Sequence, residues 1–150
     1  MKSDQGAMLI YRIMRILYEK KVPIIPKLLK VVLRVVYSCT ISYKTSIGEG
    51  TKLPHGGLGV VIHEDAIIGR NCKILQNVTI GGRNGKSGAP KIGDDVLVGA
   101  GAVLLGDIKI GNNVAIGANA VVLNNIPDNA VVVGVPGRII RFLSKDESVK

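Results

Sequence analysis

From Ile41 onward the chain places a large aliphatic residue at every sixth position. The series runs Ile41, Ile47, Leu53, slips by three residues around His55, and restarts at Ile62, Ile68, Ile74 and Ile80. After an interruption it continues through Ile92, Val98, Leu104, Ile110, Ile116 and Val122. Four places after most of these stands a mostly small or β-branched residue: Thr45, Thr51, Ala66, Cys72, Val78, Val96, Ala102, Ile108, Val114 and Ala120. A helix repeats near 3.6 residues and a half-buried strand every second residue, so neither explains a period of six. A hexapeptide period is the mark of a β-helix. Each hexapeptide supplies one short strand and one corner, with the leading aliphatic inward and the small residue filling the space behind it. Three hexapeptides close a triangular coil, and coils stack at the inter-strand spacing of about 4.8 Å. Like side chains then lie over like, giving a core that no single repeat could bury. The expected fold class is all-β, a parallel β-helix over residues 41–140.

The pattern upstream differs. Leu9, Ile13, Ile16 and Leu17 recur at helical spacing within residues 5–20, and Pro23 and Pro26 interrupt. Residues 27–37 then carry Lys27, Lys30 and Arg34 on one stripe, with Leu28, Val31, Val32, Val35 and Val36 around the rest. This predicts two short amphipathic helices in an N-terminal segment, 1–40, ahead of the β-helix domain, 41–140, and a polar tail, 141–150. The plain reading packs these helices on the main body or on another subunit. The sharper reading is peripheral membrane contact by a basic amphipathic element within residues 5–37.

Composition narrows the partners. There is no Trp and a single Phe, Phe142, so Val, Ile and Leu carry the burial. The 19 glycines lack a G-X-Y period, which excludes collagen. The net charge is +9, with Lys2, Arg12, Arg15, Lys20, Lys21, Lys27, Lys30 and Arg34 all before residue 40. Such a balance suits a membrane surface, a nucleic acid or a phosphate-rich ligand. The scarcity of aromatic side chains to stack on bases argues against nucleic acid. Cys39 and Cys72 make neither a disulfide framework nor a metal-ligand spacing, so a reducing cytoplasm is the expected compartment. No small-residue cleavage site follows the run Leu9–Leu17, which itself holds Arg12 and Arg15, so no signal peptide is expected. Three cations within Val22–Tyr37 argue against a spanning helix.

A regular solenoid requires neither the slip in "LPHGGLGVVIHE" (53–64) nor the insertion "GGRNGKSGAPK" (81–91). Loops on a rigid scaffold are where function concentrates. Both histidines, His55 and His63, lie in the first of these stretches. The segment "GKSG" (85–88) is not a P-loop, since the remaining nucleotide-loop spacing is missing.

The blocks "ILQNVTIGG" (74–82), "GKSG" (85–88), "PKIGDDVLVGAGAVLLGDIKIG" (90–111), "VAIGANAVV" (114–122) and "VVVGVPGRII" (131–140) resemble the serine O-acetyltransferases and their close relatives. The resemblance covers about residues 40–140. It implies a left-handed parallel β-helix, a homotrimer, acetyl-CoA as donor and active sites between neighbouring β-helices, with no metal. The family's catalytic histidine precedes the segment "GVVIHE", which matches His55; His63 falls where the family usually has Gly. An imidazole, with an ordinary pKa of about 6.5, accepts a proton at neutral pH. His55 would take the proton of an acceptor hydroxyl as its oxygen attacks the acetyl thioester. By matching position, Gly82, Ala100 and Ala118 line the coenzyme groove, and Lys86 and Arg138 meet its phosphates.

The acceptor side departs from the family. The positions of its orienting and substrate-contacting aspartates hold Thr40 and Pro54, and its Arg-His pair before Pro90-Lys91 is replaced by Gly88 and Ala89. A zwitterionic amino acid needs a cation and an anion, and both partners are missing. Glu64 is the candidate substitute for the orienting carboxylate. The expectation is an O-acetyltransferase acting on a sugar hydroxyl in surface-polysaccharide synthesis, cytoplasmic or at the inner face of the membrane. Serine O-acetyltransferase of cysteine biosynthesis and a non-catalytic β-helix binding module are the alternatives. A sugar N-acetyltransferase would be told apart by an amide product. A γ-type carbonic anhydrase needs three histidine ligands and this chain has two.

Overall fold

Each inward aliphatic of the six-residue series must find another beneath it, and that requirement sets the architecture. A computed structural model describes residues 6–85, 87–144 and 147–149. Two helices, α1 (Gly6–Glu19) and α2 (Ile25–Tyr37), precede a three-faced parallel β-helix. Its first face stacks β1 (Thr40–Ile41), β3 (Val61–Ile62), β6 (Thr79–Gly81), β9 (Val103–Leu105) and β12 (Val121–Val122). The second stacks β2 (Ser46–Ile47), β4 (Ile67–Ile68), β7 (Lys91–Ile92) and β10 (Lys109–Ile110). The third stacks β5 (Lys73–Ile74), β8 (Leu97–Val98), β11 (Ala115–Ile116) and β13 (Ala130–Val133). An antiparallel strand, β14 (Arg138–Phe142), closes the third face. It runs to Phe142, two residues into the segment read from the sequence as a polar tail.

The register shows how the slips are absorbed. Ile62 pairs with Ile80, and Leu104 with Val122, each 18 positions apart, three hexapeptides per coil. Ile41 pairs with Ile62 across 21 positions, because the three-residue slip at His55 bulges outward. Ile80 pairs with Leu104 across 24, because the 81–91 insertion adds six residues outside the coil. The layers stay aligned: every member of the aliphatic series is buried, and so is every small residue four places after it.

Two of the three corners are built alike. The chain turns through a left-handed residue, and asparagine, aspartate or glycine occupies it. The corner before the first face stacks Gly59, Asn77, Gly101 and Asn119; the corner before the third stacks Gly50, Asn71, Asp95, Asn113 and Asn129. Gly59 is required on two counts. Its φ is +68, and a Cβ there would collide with the Asn77 side-chain oxygen. The third corner, after the first face, carries His63 and the 81–91 insertion instead.

A solenoid's open end must be covered, and α1 covers the first coil. Ala7, Met8, Tyr11 and Met14 are buried against it. Tyr11 Oη donates to Thr45 O at 2.6 Å. Arg12 donates to Ile47 O at 2.9 Å and to Gly48 O at 2.6 Å, and Arg15 to Lys44 O at 2.8 Å. The two arginines that argued against a signal segment therefore pin the helix to corner carbonyls. Among the described residues no helix is long and apolar enough to cross a membrane.

Leu104→Ala opens a hole in a fully buried central layer, and a loss of about 2–5 kcal/mol is expected. Gly59→Ala imposes the left-handed cost of roughly 1–2 kcal/mol and adds the clash with Asn77; Asn77→Gly in the same chain relieves only the clash. Midpoints of chemical denaturation check both, and a Gly59→Ala chain as stable as the parent would refute the corner account.

Candidate active site

The slip around His55 folds into a single tight turn, Pro54–Gly57. Its position is fixed from three sides. Gly57 packs against Leu53 and Cys39, where a Cβ would lie 3.2 Å from Leu53 Cδ1 and 3.3 Å from Cys39 Sγ. Gly59 N–H donates to Ser38 O at 3.0 Å, and Leu58 O accepts Asn77 N–H at 2.8 Å. The Tyr37 ring lies over Gly56, with Cδ1 3.4 Å from where a Cβ would stand. His55 itself has φ 57 and ψ 30. Among the described residues of the β-helix it is the one left-handed position held by neither glycine nor Asn or Asp. Its side chain is exposed, and no described side chain hydrogen-bonds to its ring. Backbone held in a sparse region at a rigid turn is a feature of functional sites.

His55 heads the corner before the first face. Below it the same corner carries Gln76 and Asn77, then Ala100 and Gly101, then Ala118 and Asn119. Gly101 N–H donates to Gln76 O at 2.9 Å, and Asn119 N–H to Ala100 O at 2.8 Å. The turn into β14 closes the column: Val121 N–H donates to Gly134 O at 3.0 Å, and Gly137 N–H to Val121 O at 2.7 Å. Arg138 follows that turn and is exposed. His55, Ala100, Ala118 and Arg138 thus share one edge of the first face. The Oε1 atom of Gln76, on this edge, is buried without a hydrogen-bond donor.

Gly82 does not join them. It leaves β6 at the opposite edge of the same face, where the 81–91 insertion begins. Lys86 lies outside the described residues. Beneath the insertion Arg83, Gly85, Ser87, Leu105, Asp107 and Asn124 border a polar cavity of about 540 Å³. Glu64 sits at this far edge too, and its carboxylate pairs with Lys44 Nζ at 3.3 Å, so it does not orient His55 within one chain.

His63 is the neighbour of Gly82 that the sequence reading set aside. Its Nε2 lies 4.0 Å from where a Cβ on Gly82 would stand. A histidine directly following the strand that pairs with β6 was the available signal. Neither cysteine offers a nucleophile. Burial pushes the Cys39 thiol up to about 12 and raises that of Cys72. Among the described residues no group of three His, Cys, Asp or Glu side chains could hold a metal ion.

Known proteins share this fold. Residues 89–124 match the family described as bacterial transferase hexapeptide (six repeats). The chain is 44% identical over 136 residues to the serine acetyltransferase of Synechococcus elongatus, covering 89% of this chain and 55% of that one. It is 39% identical over 140 residues to the serine acetyltransferase of Bacillus subtilis, covering 92% and 64%. Among solved structures, the Neisseria gonorrhoeae serine acetyltransferase superposes with a TM-score of 0.89 at 34% identity, covering 99% of this chain and 59% of that one. The Brucella abortus enzyme in complex with coenzyme A superposes with a TM-score of 0.89 at 35% identity, covering 95% and 57%. The chain spans between half and two thirds of the length of each of these four proteins. The β-helix is the left-handed kind of those structures. The hexapeptide core, the register of its layers and these likenesses support a serine O-acetyltransferase-like hexapeptide-repeat family for this chain.

Proposed function

We propose that the chain is an acetyl-CoA-dependent O-acetyltransferase that acts as a homotrimer on a sugar hydroxyl in surface-polysaccharide synthesis. The observation that carries this reading is the exposed His55 imidazole at the head of a corner column whose lower members are small. From the Leu58 row to the Gly134 row are four coil steps, roughly 19 Å at the strand spacing, enough for an extended thioester arm. The arm lies along Ala100 and Ala118, where bulkier side chains would obstruct it. Arg138 and Lys86 meet its phosphates. A single chain leaves this groove with one wall, because Gly82 and the insertion stand at the far edge. Three prisms set edge to edge bring the far edge of one copy against the His55 edge of the next. Such a seam also offers a donor to Gln76 Oε1, which has none in one chain.

In the reaction His55 accepts the proton of the acceptor hydroxyl as that oxygen bonds to the acetyl carbon. Main-chain N–H groups along the seam steady the negative oxygen. The carbon–sulfur bond then breaks, and the imidazolium returns the proton to the coenzyme thiolate. A neutral sugar suits an acceptor side without ionic groups at Thr40, Pro54, Gly88 and Ala89. L-serine is the second reading, favoured by the names of the relatives.

We also infer that α2 rests on an anionic membrane surface, which would hold the enzyme at the cytoplasmic face near lipid-linked glycans. Leu33 and Pro26 face the body, while Leu28, Val31, Val35 and Val36 are exposed, Val35 to 74%. Lys27, Lys30 and Arg34 form an exposed stripe beside that apolar face. Anionic headgroups complement such a border, whereas a second copy would bring like charges together.

Release of free thiol from acetyl-CoA, screened over L-serine, free hexoses and nucleotide sugars, tests the activity. His55→Ala is expected to lower kcat by about 10²–10⁴ with coenzyme affinity retained. Absence of coenzyme binding at millimolar concentration, or an indifferent His55→Ala, would sink it. Cosedimentation with phosphatidylglycerol vesicles, but not phosphatidylcholine ones, is expected for the parent and lost in Lys27→Ser/Lys30→Ser/Arg34→Ser. Equal sedimentation of both chains refutes the membrane reading. So does concentration-dependent dimerisation abolished by Val31→Asp/Val35→Asp, which would make the face a contact between copies.

A further inference from the structure

His63 is held as if for contact with something outside its own chain. Its backbone is tied on both sides: N–H donates to Ile80 O at 2.8 Å, and its carbonyl accepts Ala66 N–H at 3.1 Å and Thr45 Oγ1–H at 3.0 Å. The ring is held too, because Nδ1 accepts the Asp65 N–H at 3.2 Å. The Asp65 carboxylate stands at 3.8 Å from Nδ1, beyond hydrogen-bond distance. With Nδ1 used as acceptor, the proton of the neutral ring sits on Nε2. That N–H points toward the base of the insertion, where Gly82 and Gly88 come together. A Cβ on Gly82 would be 4.0 Å from His63 Nε2 and 3.6 Å from Gly88 O. Neither residue has a side chain to fill the space. The His63 side chain is 41% exposed.

His55 and His63 flank the first face on opposite edges. The Pro54–Gly57 turn and Leu58 precede β3 at one edge, and His63 leaves β3 at the other. The strand between them holds both in extended, rigid spacing, so one chain cannot bring the two imidazoles to one small substrate.

We infer that His63 is a specificity-determining residue that donates its Nε2–H to a hydroxyl of the acceptor, completing across the seam a pocket whose base is His55 of a second copy. This rests on the acetyl-transfer reading above and adds the acceptor contact to it. The acceptor is a polyol: one hydroxyl reacts at His55 while another accepts from His63. A side chain at Gly82 would stand between His63 and an acceptor that approaches from the seam.

The experiment pairs two variants and uses as probe whichever hexose or nucleotide sugar of the thiol-release screen turns over fastest; turnover of L-serine alone overturns the inference, since serine has no second hydroxyl. His63→Gly is expected to raise the acceptor KM roughly tenfold, the loss of one neutral hydrogen bond, with the acetyl-CoA KM unchanged. His63→Gln, which keeps an N–H at similar reach, is expected to recover most of that loss. A merely structural role would move both KM values together and show no such rescue. Co-expression of differently tagged His55→Ala and His63→Gly chains then tests the seam at low acceptor concentration. Random mixing in a ring leaves about a quarter of the seams with both imidazoles intact, so doubly tagged assemblies should exceed the activity of either parent variant. An unchanged acceptor KM in His63→Gly, or no gain in mixed assemblies, overturns the inference while the parent enzyme stays active. A parent chain inactive on the whole panel would instead overturn the acetyl-transfer reading.

Discussion

Aliphatic side chains stacked at the spacing between hydrogen-bonded strands are the constraint on which the rest of this molecule depends. Ile62 over Ile80 and Leu104 over Val122 repeat the same contact in register. Each layer is short, two or three residues in most strands, and so contributes little alone. Stability comes from neighbouring coils, as in any solenoid. Because only the inward positions must align, the outward ones are free. The slip at His55 and the insertion at 81–91 change the count between stacked residues to 21 and 24 and leave the layers undisturbed. Chemistry can therefore be changed at the corners without cost to the core.

The corners divide by role. Two are columns of asparagine, aspartate and glycine whose left-handed turns interlock, and they leave little room for variation. The corner after the first face lacks this ladder and carries His63, the insertion and the polar cavity below it. His55 interrupts the ladder at its top, where a histidine takes a conformation otherwise held by Gly, Asn or Asp. The donor groove proposed below it would need only backbone and small residues, such as Ala100 and Ala118. In the proposed reaction the acceptor side would rest on particular side chains, and Thr40, Pro54, Gly88 and Ala89 are where the sequence departs from the family it resembles.

The helices show the same economy of anchoring. α1 is bound by Tyr11, Arg12 and Arg15 to main-chain carbonyls of the first coil, which contacts based on side-chain identity in the coil could not guarantee. α2 buries Pro26 and Leu33 and leaves an apolar face outward beside three cations. One helix closes the core, while the other presents a surface.

The six-residue layers were readable from residue order alone, because burial of an aliphatic at a fixed period is a local property of the chain. Ile41 through Val122 and the small residues behind them all turned inward as their spacing implied. The left-handed asparagines were open to the same reasoning in kind, though their stacking was not. What spacing could not convey was which edge of a face each candidate site residue occupies. Gly82 and His55 are both prominent in the sequence, yet closing the triangle sets them on opposite edges. Pairing of residues 18 to 24 positions apart, not any neighbour in sequence, decides that placement. The same closure turned His63 toward Gly82 and committed Glu64 to Lys44, because a corner side chain meets whatever the next coil brings beneath it.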